Sequence, residues 1–350
     1  LSALLLAFFF HCLKNKVTMH IIAKKIMQLL VLVSACMALV VNADWHKNSF
    51  DVMGTRATLE LWLSEAQNPE RLFEAVEHEM RRIERLMSPY IEESEISAIN
   101  RGAGLGAQKI SAELAGVISR SLYFSQLSNG VFDISFASVG SLYDYRKKIR
   151  PDGEAIQNRL PLIDYKSIVL KNDTIELMKT GMRIDLGGIA KGYAIDQSIQ
   201  LLLNAEVESA LVTLGGDSRV IGNRGTIANS AQLIPWMVGI KHPRTANKQA
   251  LRLPLTDAAF STSGDYERYF FDGEQRVHHI IHPSSGESAT GLMSATIIGP
   301  ASIDCDALST TVFILGKEAG LMLINQLPDY DAVLIDAQGK VYYSNGLQTQ

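Results

Sequence analysis

Two stretches of this chain carry residue types that could manage a phosphate and a metal ion. The first is Arg183-Ile184-Asp185-Leu186-Gly187-Gly188-Ile189-Ala190-Lys191-Gly192-Tyr193-Ala194-Ile195-Asp196. Its glycines let backbone approach a ligand where a Cβ would collide. Ile189, Tyr193, Ile199 and Leu203 then recur on roughly helical spacing, which starts a helix near Gly188. A helix N-terminus presents unpaired N–H groups and partial positive charge, which suits an anion. Neither the GxxxxGK loop nor GxGxxG is present, so a tight strand-to-helix turn with a surface lysine explains the stretch equally well. The second stretch is Asp304-Cys305-Asp306-Ala307-Leu308-Ser309-Thr310-Thr311-Val312-Phe313. Asp306 and Thr310 fall one turn apart on one helical face. They offer hard oxygen donors of the kind Mg²⁺ takes beside phosphates and water. The competing reading is an N-terminal cap, for which Asp and Thr are both common, and spacing alone favours the cap.

The elements that must hold these stretches follow from periodicity. Residues 50–63 alternate as a strand, and 69–87 place Leu72, Val76, Met80, Ile83 and Leu86 on one helical face. Helices are expected at 114–127, before Ser128-Asn129-Gly130, and at 189–203. Residues 168–170 and 174–177 flank Lys171-Asn172-Asp173, a hairpin signal. Further strands are expected at 209–214, 218–222, 236–241, 258–263, 267–271, 277–281 and 293–299. A helix over 306–314, a short one over 318–326 and a hairpin over 331–343 close the chain. The charged segment 146–164, with Pro151 and Pro161, is expected on the surface. Strands separated by helices and by hairpins, without strict alternation, indicate an α+β fold.

Residues 1–43 contain four lysines, no acid and two apolar runs. Met19 begins a basic segment, Ile26 to Val41 is apolar, and Val41-Asn42-Ala43 fits signal-peptidase cleavage. Residues 1–43 are therefore expected to be upstream sequence and a removed signal peptide, leaving 44–350 as one elaborate domain soluble in the periplasm. Val33-Ser34-Ala35-Cys36 supplies an alternative, lipid anchoring at Cys36, although Met37 to Val41 stays apolar where a lipoprotein would turn polar. Residues 44–350 contain no other run expected to span a bilayer. Removing four lysines takes the formal charge from −4 to −8, and an acidic chain without a basic run argues against a nucleic-acid partner. Cys305 is then the only cysteine, so no internal disulfide forms, and a buried filler is its expected role. No His/Cys cluster has zinc spacing.

Collinear motifs across most of the chain make it similar to the ApbE family of flavin transferases, the FAD:protein FMN transferases. They are Phe50-Asp51-Val52-Met53-Gly54-Thr55, Met87-Ser88-Pro89-Tyr90 with Ser94 to Asn100, Gly130-Val131-Phe132-Asp133, and the glycine-rich stretch. Leu214-Gly215-Gly216-Asp217, Ser261-Thr262-Ser263-Gly264-Asp265-Tyr266, His279-Ile280-Ile281-His282-Pro283-Ser284-Ser285-Gly286 and Asp306 to Gly316 follow in family order. The chain departs from the family in carrying His282 where Asp or Asn often precedes the proline.

The resemblance implies an ApbE-like, T-fold-like arrangement of mixed sheets packed with helices. It implies Mg²⁺-dependent transfer of the FMN half of FAD to a Thr or Ser hydroxyl of another protein, leaving a phosphoester and releasing AMP. Position by position, it assigns Asp306, Thr310 and the Ala190 carbonyl to the metal. Met53, Tyr90, Val131, Phe132, Asp133, Gly187, Lys191, Tyr193 and Ile280 are assigned to FAD. Met53 and Phe132 also suit a core, and Lys191 also suits a simple ion pair. His279 is expected nearest the attacking hydroxyl, with His278 and His282 as competitors, because an imidazole accepts a proton near neutral pH. Implied partners are subunits of sodium-translocating NADH:quinone reductase or Rnf-type complexes and periplasmic flavoprotein reductases. Two other activities remain compatible with these residues: an FAD pyrophosphatase releasing FMN and AMP, and a non-catalytic periplasmic flavin-binding protein. Intact mass after secretion is expected to show a chain beginning at Asp44; a diacylated species beginning at Cys36 contradicts this.

Overall fold

Ala57, Leu59, Leu61 and Leu63 are buried while the residues between them are partly exposed, the period-two pattern of a strand with one covered face. They belong to β2 (Thr55–Ser64) of an eight-stranded sheet in the computed structural model, which describes Lys24 and residues 43–226, 233–245 and 248–348. The signal-peptide reading of residues 1–43 lies almost wholly outside the described residues. The chain clusters into two compact units, residues 1–44 with 64–67 and residues 45–63 with 68–350, and the second carries the site. The other strands of the sheet are β1 (Ala43–Val52), β3 (Ser209–Leu214), β4 (Asp217–Ile221), β5 (Ala259–Gly264), β6 (Leu292–Gly299), β7 (Asp331–Asp336) and β8 (Val341–Tyr343). They lie side by side in chain order, and the pairings from β2 through β8 are antiparallel.

Two tight turns make this order possible. Met53 and Gly54 both take positive φ, 52° and 69°, so the chain reverses between β1 and β2. The single strand expected over 50–63 is therefore two. Apolar alternation flanks the turn on both sides but changes phase between Val52 and Ala57, and Met-Gly lacks the Asn-Gly signature of such reversals. Between β3 and β4, Gly215 takes φ 64° and Leu214 pairs with Asp217. A Cβ on Gly216 would come within 2.7 Å of the Thr262 carbonyl, so only glycine lets β5 pass there.

Four helices bury the sheet: α1 (Pro69–Met87), α2 (Ala112–Leu127), α3 (Ala190–Asn204) and α4 (Ser302–Ile324). The α3 and α4 helices pack on each other and on the central strands, and α1 packs on α3. Helix α1 has the bounds its periodicity predicts, with Asn68 capping Arg71 N–H and Pro69 at the first position. Helix α4 begins four residues earlier than expected and is interrupted by Gly316 (φ 77°, ψ −175°), which separates the two helices expected at 306–314 and 318–326. Its length and hydropathy match those of a bilayer span, contrary to the sequence expectation. Val312, Phe313 and Ile324 are nevertheless buried against the protein's own core.

The α3–α4 contact depends on Gly192. A Cβ there would lie 2.2 Å from the Ser302 carbonyl oxygen, so the helices meet at a distance that only glycine permits. Ala301 gives α4 no side-chain cap. Asp196 of α3 takes that role, accepting from Ser302 N–H at 3.0 Å and Ile303 N–H at 2.9 Å while pairing with Arg219.

Outside the main sheet, Trp236–Lys241 pairs with Gln249–Leu255. The second of these strands was not among those expected, although Leu251, Leu253 and Leu255 alternate as a strand does; Pro254 within the run argues against one, and it is tolerated here in a two-stranded ribbon. Tyr269–Asp272 pairs with Gln275–His278, and Ile168–Lys171 pairs with Thr174–Leu177 as expected. The 146–164 segment holds a helix, Gly153–Arg159, whose Ile156 is buried in a small second core with Val139, Tyr143 and Phe270. Gly192→Ala is expected to cost at least about 1–3 kcal/mol, because backbone must move to admit the methyl group. Urea denaturation of the variant checks this, and a wild-type midpoint would contradict the close-approach argument.

Candidate active site

Asp306 lies in the second turn of α4 and is 2% exposed. Its Oδ2 accepts the Gly192 N–H at 3.1 Å, and both carboxylate oxygens stand 3.1 Å from Lys191 Nζ. The same ammonium is 2.7 Å from Asp217 Oδ2, at the start of β4. Two buried carboxylates thus share one cation. Burial, followed by the charge of Asp217, pushes the Asp306 carboxyl up to about 7, while Lys191 and the Gly192 N–H hold it back. Burial opposes the charge on Lys191, but Asp217 and Asp306 outweigh it, so its pKa is raised and it stays an ammonium. The cap reading of Asp306 does not hold. The helix starts at Ser302, Asp196 caps it, and Asp304 is bound by Arg120 and Tyr330.

Beside this cluster runs a line of hydroxyls. Ser261 Oγ donates to Asp217 Oδ1. Ser261 lies 3.0 Å from Ser309 Oγ, Ser309 lies 2.8 Å from Ser263 Oγ, and Ser263 lies 3.2 Å from Thr310 Oγ1. Thr310 in turn borders Gly188: a Cβ built on Gly188 would be 3.4 Å from Thr310 Oγ1 and 3.4 Å from the Phe132 ring. Ala190 is the first residue of α3, where its carbonyl belongs to the intrahelical ladder. The Gly192 N–H, which in a regular turn would bond the Gly188 carbonyl, goes to Asp306 instead. Asp306, Thr310 and the Ala190 carbonyl, whose second lone pair the helical ladder leaves available, are the donors the resemblance assigns, and they come from the starts of two helices in contact. A carboxylate, a hydroxyl and a carbonyl are hard oxygen donors suited to Mg²⁺, with substrate oxygens and water completing the shell. Among the described residues no three His, Cys, Asp or Glu side chains surround a metal position, so any ion there depends on such outside oxygens.

The three histidines separate clearly. His278 is buried with Nε2 2.8 Å from the Ala289 carbonyl and its ring edge on Phe313. His282 uses Nδ1 to accept from Ser284 in a turn. His279 Nδ1 is buried without a hydrogen-bond partner. Burial first, then Arg268, His278 and Lys191, lower its pKa to about 3, so the ring is neutral at working pH. Arg268 was not singled out in the sequence. Its backbone carbonyl accepts the His279 N–H, and its guanidinium reaches the Gly54 carbonyl at 3.5 Å.

The remaining expected residues divide between cleft and scaffold. Met53 stands in the β1–β2 turn, its N–H held by Glu84 at 2.9 Å. Tyr90 is 86% exposed, in electrostatic reach of Asp185 and Arg268, which suits a ring awaiting a flat partner. Val131 is half-buried. Phe132 is 4% exposed and packs on Phe124 as core, touching the site only beneath Gly188. The Asp133 side chain accepts from Ser135 and from the Tyr165 N–H, so it braces a loop. Gly187 is exposed, and its N–H closes a turn onto Asp185 Oδ1 at 2.7 Å. Ile280 is buried in the main core. Tyr193 does not join Lys191: residues two apart on a helix do not face each other. Its hydroxyl donates to Glu113, which Arg82 also binds.

Tyr193→Phe is therefore expected to lower stability by about 1 kcal/mol through loss of one hydrogen bond, with FAD affinity unchanged. Denaturation and flavin titration check the two parts separately. For His279, the folded pKa lies below the unfolded one, so the unfolded chain binds the extra proton. Stability linked to this ring is present above about pH 6.5 and is lost as pH falls toward 3. His279→Asn is expected to flatten the fall in stability between pH 7 and pH 5, read from urea midpoints at each pH.

Known proteins share this arrangement. The ApbE family profile matches residues 53–334. An FAD:protein FMN transferase of Treponema pallidum is 34% identical over 281 residues, covering 77% of this chain and 78% of that protein. One from Klebsiella pneumoniae is 30% identical over 301 residues, covering 84% and 90%. The crystal structure of the ApbE protein of Thermotoga maritima superposes with a TM-score of 0.79 at 30% identity, covering 87% of this chain and 99% of that one. The ApbE flavin transferase of Vibrio cholerae, at 22% identity and a TM-score of 0.77, shares the fold. The profile covers most of the chain, and the relatives match it over more than two thirds of its length at 30% identity or above, so the chain belongs to the ApbE family.

Proposed function

We infer that this chain is an FAD:protein FMN transferase, which moves the FMN half of FAD onto a Thr or Ser hydroxyl of another protein. The observation that carries the reading is the buried Asp306–Lys191–Asp217 cluster beside Thr310, with the open Nδ1 of His279 nearby. Plain flavin binding has no use for two buried carboxylates around one cation, whereas a diphosphate reaction needs fixed charge at its centre. Asp306, Thr310 and the Ala190 carbonyl would hold Mg²⁺, whose charge would neutralise the diphosphate and the leaving phosphate.

The chain's own residues do the rest. Met53 and Tyr90 offer one flexible and one flat apolar surface to an isoalloxazine ring. Lys191 fixes the two carboxylates and adds positive charge along the phosphates. The acceptor hydroxyl forms the new P–O bond to the FMN phosphorus, the bond to the bridging oxygen breaks, and AMP leaves. The hydroxyl proton goes to neutral His279. A ring with so low a pKa takes that proton only as the new bond forms and the hydroxyl acidifies. Anionic phosphates bound beside Lys191 and Arg268 offset their charge and raise its basicity. Reach governs the partner: its Thr or Ser must sit in a flexible, exposed segment able to enter the cleft. The targets proposed on the family resemblance are flavin-carrying subunits of sodium-translocating NADH:quinone reductase or Rnf-type complexes and periplasmic flavoprotein reductases, and the proposed location for this chain is the periplasm.

The test is incubation of the protein with FAD, Mg²⁺ and such a target. Fluorescent target carrying a covalent FMN supports transfer; free FMN and AMP with unmodified target means water is the acceptor and overturns it. Asp306→Asn is expected to abolish turnover while the fold persists, because the amide keeps the side chain's shape but loses the charge. A folded variant with wild-type turnover contradicts the role given to Asp306.

A further inference from the structure

The hydroxyl line from Asp217 to Thr310 has a direction. Asp217 opens β4 and pairs across the sheet with Ser261 of β5, while Ser263 lies two residues on and shares the Ser261 face. Ser309 and Thr310 descend onto that face from α4, and Asp217, Ser261 and Ser309 are almost completely buried. Each hydroxyl owns one proton. Asp217 faces the Lys191 ammonium with Oδ2 and accepts from Ser261 with Oδ1, so the Ser261 proton is committed there. The 3.0 Å contact between Ser261 and Ser309 then needs the Ser309 proton. That proton also reaches the Asp306 carbonyl at 2.9 Å, so it is shared between the two acceptors; without its share at Ser261, two lone pairs would oppose each other there. By the same count Ser263 donates to Ser309, and Thr310 donates to Ser263.

We infer that Asp217 is a positioning residue, whose carboxylate sets the direction of the Thr310→Ser263→Ser309→Ser261 hydrogen bonds so that Thr310 turns its proton inward and its lone pairs toward the metal position. This rests on the metal reading above and deepens it. A threonine hydroxyl free to rotate presents its proton to an approaching cation for part of the time. One whose proton is held by a polarised chain ending on an anion does not, and such chains strengthen along their length. Asp217 and Ser263 thereby act on the ion without touching it.

The isosteric change Asp217→Asn reverses the line. The amide oxygen faces the Lys191 ammonium, the NH₂ faces Ser261, and each hydroxyl is then driven to donate the other way, out through Thr310. Calorimetric titration of Mg²⁺ into the FAD-loaded protein, without an acceptor, reads the effect. Asp217→Asn and Ser263→Ala are each expected to weaken Mg²⁺ binding by roughly tenfold or more, the scale of outer partners of metal ligands. Ser263→Thr, which restores a hydroxyl, is expected to bind as wild type does. The double variant Asp217→Asn/Ser263→Ala is expected to be no weaker than the weaker single variant, because both cut one line. If the two effects multiply, Asp217 acts by charge alone and the inference fails. It fails also if Ser263→Ala and Ser263→Thr bind alike, a comparison that stands even if Asp217→Asn does not fold. Normal Mg²⁺ binding by Asp217→Asn overturns the inference while leaving the metal reading intact; absence of Mg²⁺ binding by the wild type overturns both.

Discussion

One buried ammonium between two buried carboxylates sets the terms for the rest of the molecule. Lys191 touches Asp217 from β4 and Asp306 from α4, so a helix, a strand and a second helix must converge on one atom. Taking three charges out of water is expensive, and removing one partner from such a set typically costs about 3–5 kcal/mol. The surrounding structure is arranged to meet that demand. The Gly192 amide supplies a fourth contact, and Gly192 lacks the Cβ that would hold α4 away. The Gly215-Gly216 turn delivers Asp217 to the edge of the cluster, and Asp196 tethers the first turn of α4 to α3.

That arrangement also separates residues that support the site from residues that could meet a substrate. Phe132, Ile280 and His278 spend their side chains on the core, and Asp133 and Tyr193 spend theirs on neighbouring loops and helices. Tyr90, Arg268 and the turn at Met53 remain around the opening, with His279 set deeper. The division makes chemical sense for a two-substrate transfer. A rigid, charged floor holds a diphosphate, while the rim stays open enough to admit both a flavin and a segment of another protein.

Much of the fold was legible from pattern. The α1 periodicity and the hairpin around Lys171-Asn172-Asp173 matched observed elements closely, because a half-buried face leaves its period in the sequence. Where pattern failed, a local rule was broken for a tertiary reason. The β1–β2 reversal uses Met53 at positive φ where Asn would be usual. The start of α4 was misplaced because its cap is Asp196, more than a hundred residues away, and no local cap marks Ser302.

The sequence by itself determined which residues have the chemistry: the Asp306–Thr310 spacing, the lysine among glycines and the histidine segment all stand in collinear motifs. Their linear order could not say which histidine has an unpartnered nitrogen, or whether Lys191 faces a ligand or an aspartate. Tertiary structure decided these. Each depends on where a group from a distant element falls: Ala289 behind His278, and Asp217 against Lys191. Side-chain chemistry is a property of residue type, but hydrogen-bond commitment is a property of neighbours, and these neighbours are set only when the sheet and its helices close.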